Sequence, residues 1–202
     1  MFSTSGAQAE VSYTYDADGI RTGKSVDINA ESYTTHKYIT QNSKVVRETI
    51  GSGNTAKILD FIYDASGRPF ALKYSEDGGS SFDTYYYVLN LQGDVVKLVE
   101  ILVSANSIDE YSTVANYSYN AWGEIISVTD RFGNEITDTT HIAHINPLRY
   151  RGYYYDTETG FYYLQSRYYD PAMHRFINAD SLASTGQGFV GTNKNTGDGS
   201  VY

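Results

Sequence analysis

Bulky apolar side chains alternate with small polar ones in short runs along this chain, and each run ends at a turn. In Val11-Ser12-Tyr13-Thr14-Tyr15 every second residue is large, the period of a half-buried strand. Tyr117-Ser118-Tyr119 repeats the pattern. Lys57–Tyr63 sets Leu59, Phe61 and Tyr63 on one face and Ile58, Asp60 and Ile62 on the other. The same reading predicts strands over 32–40, 44–50, 68–74, 85–90, 94–103, 124–129, 149–155 and 161–168. Residues 104–110 are expected to form a short turn or helix, and no segment sustains a helical stripe over helical length. The fold class expected is all-β, built of antiparallel hairpins in one continuous curved or spiralling sheet.

The turns share a spacing. Three copies place an aromatic residue, then an acid or amide, then glycine three positions on: Tyr15-Asp16-Ala17-Asp18-Gly19, Tyr63-Asp64-Ala65-Ser66-Gly67 and Tyr119-Asn120-Ala121-Trp122-Gly123. Leu89-Asn90-Leu91-Gln92-Gly93 is a looser copy, and Tyr155-Asp156-Thr157-Glu158-Thr159-Gly160 is one residue longer. An Asp or Asn side chain accepts a hydrogen bond from the backbone two residues on, and glycine takes positive φ without a Cβ clash. Together they reverse the chain. The long gap between Asp16 and Asp64 leaves room for a degenerate hairpin between Thr22 and Ile50. Further punctuation stands at Gly51-Ser52-Gly53-Asn54, Glu76-Asp77-Gly78-Gly79 and Arg131-Phe132-Gly133-Asn134. Each hairpin buries too little to stand alone, so neighbours must stack into one core.

The last third is denser in aromatics. Residues 148–155 lead into the Asp156–Gly160 turn and 161–169 lead out, which reads as one long aromatic hairpin. Arg149, Arg151 and Arg167 are interleaved, placed to stack on rings or pair with turn acids. Asp170-Pro171 opens another turn before a short strand at Arg175-Phe176-Ile177. Gly, Asn, Thr and Ser prevail from Ser184 onward.

Composition narrows the function classes. The chain has 202 residues, 21 tyrosines, 3 prolines and no cysteine, so disulfides and thiolate metal sites are excluded. Its net charge of −9 argues against nucleic acid and against an anionic membrane surface as partner. No run reaches the roughly 20 apolar residues of a membrane span, and the first residues carry no recognisable signal peptide. No phosphate-binding loop, dinucleotide fingerprint or nucleophile elbow occurs. His141 and His144 stand at i, i+3 with Asp138 near, but no third ligand follows at zinc-like spacing, so they read as a solvated connector. The tail at 193–199 lacks the acids of a calcium loop. No cofactor or metal is expected.

Several of these segments resemble the YD-repeat family, also called Rhs (rearrangement hot spot). The stretch 146–191 is similar to the family's Rhs-associated core domain: Asn146-Pro147-Leu148-Arg149-Tyr150-Arg151-Gly152-Tyr153-Tyr154-Tyr155-Asp156, then 160–171, then Arg175-Phe176-Ile177-Asn178-Ala179-Asp180. Residues 90–96 and 119–123 fit the same family. The resemblance implies hairpins assembled into a spiralling sheet that forms a hollow shell. It also implies a large secreted or surface protein, in many members a bacterial toxin carrier whose shell encloses a C-terminal effector. On this division 1–10 is a disordered N-terminus, 11–145 the repeat sheet, 146–192 the core-like hairpin region and 193–202 a flexible tail. Partners implied are further repeats or an effector in a longer parent chain, with self-association through open sheet edges.

In many members the core domain closes the shell and cuts the chain by an aspartyl-protease-like mechanism. Arg175 and Asp180 match the part of the motif at that cleavage site. The second carboxylate and the scissile bond that such chemistry needs would lie downstream, and the matching stretch is missing after Asn193. The pair is therefore read as vestigial, with no catalytic residue assigned. His174 stands where the family has glycine, and Ser181 where many members have proline. The alternative to a scaffold is a binding module, with Trp122, Tyr153, Tyr154 and Tyr163 as a platform for carbohydrate stacking.

Overall fold

A computed structural model describes residues 10–28, 32–104, 107–165 and 167–178. Asp180, the N-terminal residues 1–9 and the tail from 179 onward, including the segment compared with a calcium loop, lie outside the described residues. Ten strands form one antiparallel sheet in strict sequence order: β1 (Glu10–Tyr15), β2 (Arg21–Ile28), β3 (Ser32–Gln41), β4 (Lys44–Ile50), β5 (Lys57–Tyr63), β6 (Pro69–Ser75), β7 (Asp83–Leu89), β8 (Val95–Ser104), β9 (Ser107–Tyr119) and β10 (Ile125–Thr129). A four-stranded antiparallel meander follows: β11 (Tyr154–Asp156), β12 (Phe161–Tyr163), β13 (Tyr168–Asp170) and β14 (Arg175–Phe176). The all-β expectation holds. Between the sheets lies one short helix, α1 (Ile142–Ile145).

The hairpin expected between Thr22 and Ile50 is two hairpins, β2–β3 and β3–β4. The second turns on Asn42 and Ser43, both at positive φ (50° and 60°), between paired Gln41 and Lys44. Two successive left-handed residues make the tight turn that matches strand twist, so no glycine was needed to build it. Within 104–110, residue 104 and residues 107–110 are corrected from turn or helix to strand: β8 runs to Ser104 and β9 starts at Ser107, paired with it. The long aromatic hairpin is also corrected. Tyr150–Gly152 forms a 3-10 turn, with Arg151 at φ 53°, and leaves only three residues to β11. Gln165, at φ 67°, then separates β12 from β13.

A pure meander places every odd-to-even connection at the same end of the sheet. The turns at Asp16, Asn42, Asp64, Asn90 and Asn120 therefore line one rim. One face of the sheet carries the core, including Tyr38, Leu59, Phe61, Leu72, Leu98 and Tyr117, and α1 and the small sheet cover it with Ile142, Ala143, Leu148, Tyr154 and Tyr163. The large sheet curls strongly. In β12, the Tyr162 hydroxyl donates to the Gly123 carbonyl at 2.8 Å, while the adjacent Tyr163 hydroxyl accepts from the Arg21 N–H at 3.0 Å. In a flat sheet β2 and β9 would lie about 34 Å apart at the normal strand spacing. Two back-to-back tyrosines and their hydrogen bonds span only roughly 20 Å.

Candidate functional site

Four of the five rim turns, all but the one at Asn42, are built the same way. At Asp16 the backbone N–H donates to the Ile20 carbonyl, and Gly19 N–H donates back to the Asp16 carbonyl. The carboxylate meanwhile accepts from Asp18 N–H at 3.0 Å and Ile20 N–H at 2.8 Å. Asp64, Asn90 and Asn120 reproduce all four bonds. Gly67, Gly93 and Gly123 sit at φ 75°, 90° and 91°. A further copy at Asp130–Gly133 follows β10, with Phe132 and Asn134 N–H groups on the carboxylate. Sequence reasoning placed that turn by its glycine but missed its acid, because Thr129 stands where the other turns have an aromatic or leucine. Asp170 accepts from Ala172 and Met173 N–H groups. There His174 takes φ 58°, the place of the family's glycine, and its ring stacks on Trp122 at 4.5 Å between centroids.

Asp156 departs from the pattern. Its backbone closes the turn, Gly160 N–H donating to its carbonyl at 2.8 Å. Its side chain, however, is fully buried and accepts from Arg21 at 2.5 Å and Lys24 at 3.2 Å. The extra residue in this turn frees the carboxylate for that long-range pair. Lys24 also binds Glu158 at 2.8 Å. Four tyrosine rings surround the Arg21 guanidinium: Tyr13, Tyr38, Tyr154 and Tyr163, with centroids 5.2, 4.7, 4.7 and 4.3 Å from the guanidinium carbon. Its Nε and Nη2 have no hydrogen-bond acceptor among the described residues, so the negative ring faces supply the remaining stabilisation. Burial alone would lower the arginine's pKa, but Asp156 together with Tyr38 and Tyr154 more than offsets it and the group is held charged. Beside it, Glu48 accepts from the Tyr154 hydroxyl at 2.7 Å and meets His36 at 2.6 Å. Burial would raise Glu48, yet His36, Lys24 and Tyr154 outweigh it and hold the carboxyl below its ordinary value.

The segment 149–153 runs along the rim itself. Val95 N–H donates to the Arg149 carbonyl, Arg151 N–H to Asp94 at 2.9 Å, and the Tyr150 hydroxyl to the Ala121 carbonyl at 3.0 Å. Tyr169 donates to the Trp122 carbonyl, and the Tyr15 and Tyr168 hydroxyls meet at 2.9 Å. Arg149 is buried, with its guanidinium on the carbonyls of Ala143, His144 and Asn146. All three interleaved arginines lie over rings: Arg149 over Tyr117 and Tyr155, Arg151 over Tyr150, Arg167 over Phe176. The aromatic-rich stretch is thus a closure laid across the rim. A cavity of about 430 Å³ remains between it and the turns at Ser43, Gly67 and Gly93.

Of the proposed stacking residues, Tyr153, Tyr154 and Tyr163 all line this cavity and Trp122 lies outside it. Tyr154 and Tyr163 are buried against Arg21, Trp122 is covered on one face by His174, and Tyr153 alone of the four lines the cavity without being buried. Arg175 is exposed on β14, paired in register with Asp170. His141 caps α1, its Nδ1 accepting from Ala143 N–H, and His144 Nε2 meets the Ile136 carbonyl at 2.6 Å. Both rings are half-buried, which corrects the solvated-connector reading. Among the described residues no cluster of three His, Cys, Asp or Glu is placed to hold a metal, and no helix is long and apolar enough to cross a membrane.

No family model matches the chain. It is 33% identical over 168 residues to the tRNA3(Ser)-specific nuclease WapA of Bacillus spizizenii, and 34% identical over 193 residues to the tRNA(Glu)-specific nuclease WapA of Bacillus subtilis subsp. natto. These matches take in 83% and 86% of this chain but only 6% and 7% of those proteins. In fold it is similar to the crystal structure of TcdB2-TccC3-TEV, with a TM-score of 0.62 at 17% identity, over 90% of this chain and 8% of that one.

Proposed function

Because the chain belongs to the YD/Rhs-repeat family, we propose that it is a scaffold segment of a β-shell, with its tyrosine-rich 148–170 stretch closing one rim and no reaction of its own to catalyse. The observation that carries this reading is the double attachment of β12, through Tyr162 to Gly123 and through Tyr163 to Arg21, which ties both ends of a curled sheet to one closing strand. The turns set the sheet's path and the tyrosines knit its covered face. Its partners are further repeats or an enclosed effector in a longer chain, at a secreted or surface location as the family resemblance implies. The nuclease activity in the relatives' names is theirs, and the matched part is under a tenth of their length.

Among the described residues β1 pairs on one side only, and the outer edge of β10 is met only near its end, where Ile136 N–H donates to the Val128 carbonyl, so both edges offer unsatisfied backbone groups to neighbouring repeats. Sedimentation velocity over a concentration series tests this. The isolated chain should self-associate, and Ser12→Lys with Ile126→Lys should return it to a monomer. A monomer at every concentration would count against open edges awaiting repeats. Arg175 alone is no cleavage machinery, and prolonged incubation should leave one intact mass. Defined fragments that disappear on Asp180→Asn would instead establish self-cleavage.

A further inference from the structure

Two tyrosine pairs among the described residues bring their hydroxyls together, and one of them is open to solvent. Tyr15 ends β1 and Tyr168 begins β13, with their hydroxyl oxygens 2.9 Å apart. Tyr15 is 46% exposed and Tyr168 is half-buried. The other pair, Tyr38 and Tyr154, has oxygens 3.4 Å apart and rings set edge-on, both buried. Tyr168 is held in place from behind, its ring packed on Tyr13 at 5.5 Å and Tyr163 at 5.2 Å between centroids.

Two phenols aimed at each other tip to tip are placed for one reaction. A tyrosine that loses an electron and its hydroxyl proton becomes a phenoxyl radical, with spin on the oxygen and on the ring carbons ortho to it. Two such radicals couple ortho to ortho. In the product both hydroxyls flank the new carbon–carbon bond at hydrogen-bond distance, about 2.7–2.8 Å for O–H···O. The observed oxygens already stand close to that separation, so little of the approach is left to chance. The exposed flank of Tyr15 admits an oxidant, and water there can take the protons.

We propose that Tyr15 and Tyr168 form an oxidative cross-linking site, which converts the contact between β1 and the closing sheet into a covalent bond. The oxidant is a peroxide acting through a haem peroxidase. Each phenol gives up one electron and its hydroxyl proton, and the two ortho carbons bond. Their ring hydrogens then pass through water to the oxygens and restore both phenols. The peroxide O–O bond breaks, and with two electrons and two protons it leaves as two waters. The link spans 153 positions of the chain, a closure that restricts the unfolded state strongly. It does not depend on whether further repeats flank this segment.

The test treats the dilute full chain with hydrogen peroxide and a haem peroxidase, isolates the single-chain fraction and maps its tryptic peptides by mass spectrometry. Peptides 1–21 and 168–175 should appear joined, lighter than their sum by two hydrogen atoms, with dityrosine fluorescence. The thermal midpoint of the linked chain should rise by about 10 °C. Tyr15→Phe, at an exposed position, should keep the untreated midpoint and abolish the joined peptides. Tyr168→Phe should abolish them too, whereas Tyr169→Phe should leave them. Linkage only between chains, through the more exposed Tyr33 or Tyr111, would overturn the proposal. So would joined peptides that persist in Tyr15→Phe, or a linked chain that melts with the untreated one.

Discussion

The Arg21 guanidinium and the Asp156 carboxylate meet at 2.5 Å, both fully buried and separated by 135 positions in sequence. One lies at the start of β2 and the other at the end of β11, so the pair fastens the closing sheet to the large one. Such a pair specifies an arrangement more than it adds stability, because both charges give up water to form it. Removing one partner is another matter. Asp156→Ala leaves Arg21 buried without its counter-ion and should destabilise the chain by about 3–5 kcal/mol, read from denaturant unfolding. A loss under about 1 kcal/mol, the scale of an exposed pair, would show that the charge is not truly enclosed.

Two turn glycines should respond differently to a methyl group. Gly19 and Gly123 both hold positive φ, so alanine strains either backbone by about 1 kcal/mol. At Gly19 an added Cβ meets nothing within 4 Å, whereas at Gly123 it would lie 2.5 Å from the Tyr150 ring. Gly123→Ala should therefore displace the rim closure and cost more than Gly19→Ala. Equal losses in melting experiments would mean that Tyr150 does not pack on that turn.

The buried tyrosines set an alkaline limit. Burial pushes Tyr38, Tyr63, Tyr87, Tyr119, Tyr154 and Tyr162 above the ordinary value of 10.0. A raised folded-state pKa means that their contribution is complete below pH 10 and is lost as pH climbs through the folded values. Tyrosinate absorbance should lag and then rise cooperatively together with loss of the sheet's circular dichroism. Smooth titration near pH 10 with the sheet intact would contradict the burial of these rings.

The local part of this architecture was legible in the residues. Strands 44–50 and 57–63 match β4 and β5 end to end, since alternation and turn spacing are both short-range signals. Asp16, Asp64, Asn90 and Asn120 were found because an Asx–Gly corner needs only neighbours. What was missed is long-range. Nothing near Asp156 distinguishes a buried carboxylate from another turn acid, and Arg21 and Lys24 look like ordinary strand residues until the sheet curls. Tyr154 and Tyr163 were weighed as exposed stacking faces, but their rings are spent on Arg21. The short β11 followed from a local exception, Arg151 in a left-handed conformation that sequence pattern does not disclose.

A double-mutant cycle on Arg21→Met and Asp156→Leu tests most directly whether the closing sheet is clasped to the large one. Unfolding free energies of the four chains should show each single change strongly destabilising and the double change less so than their sum, with coupling of about 2 kcal/mol or more. Strictly additive losses, or a separate early transition of the small sheet in the unmodified chain, would contradict the clasp.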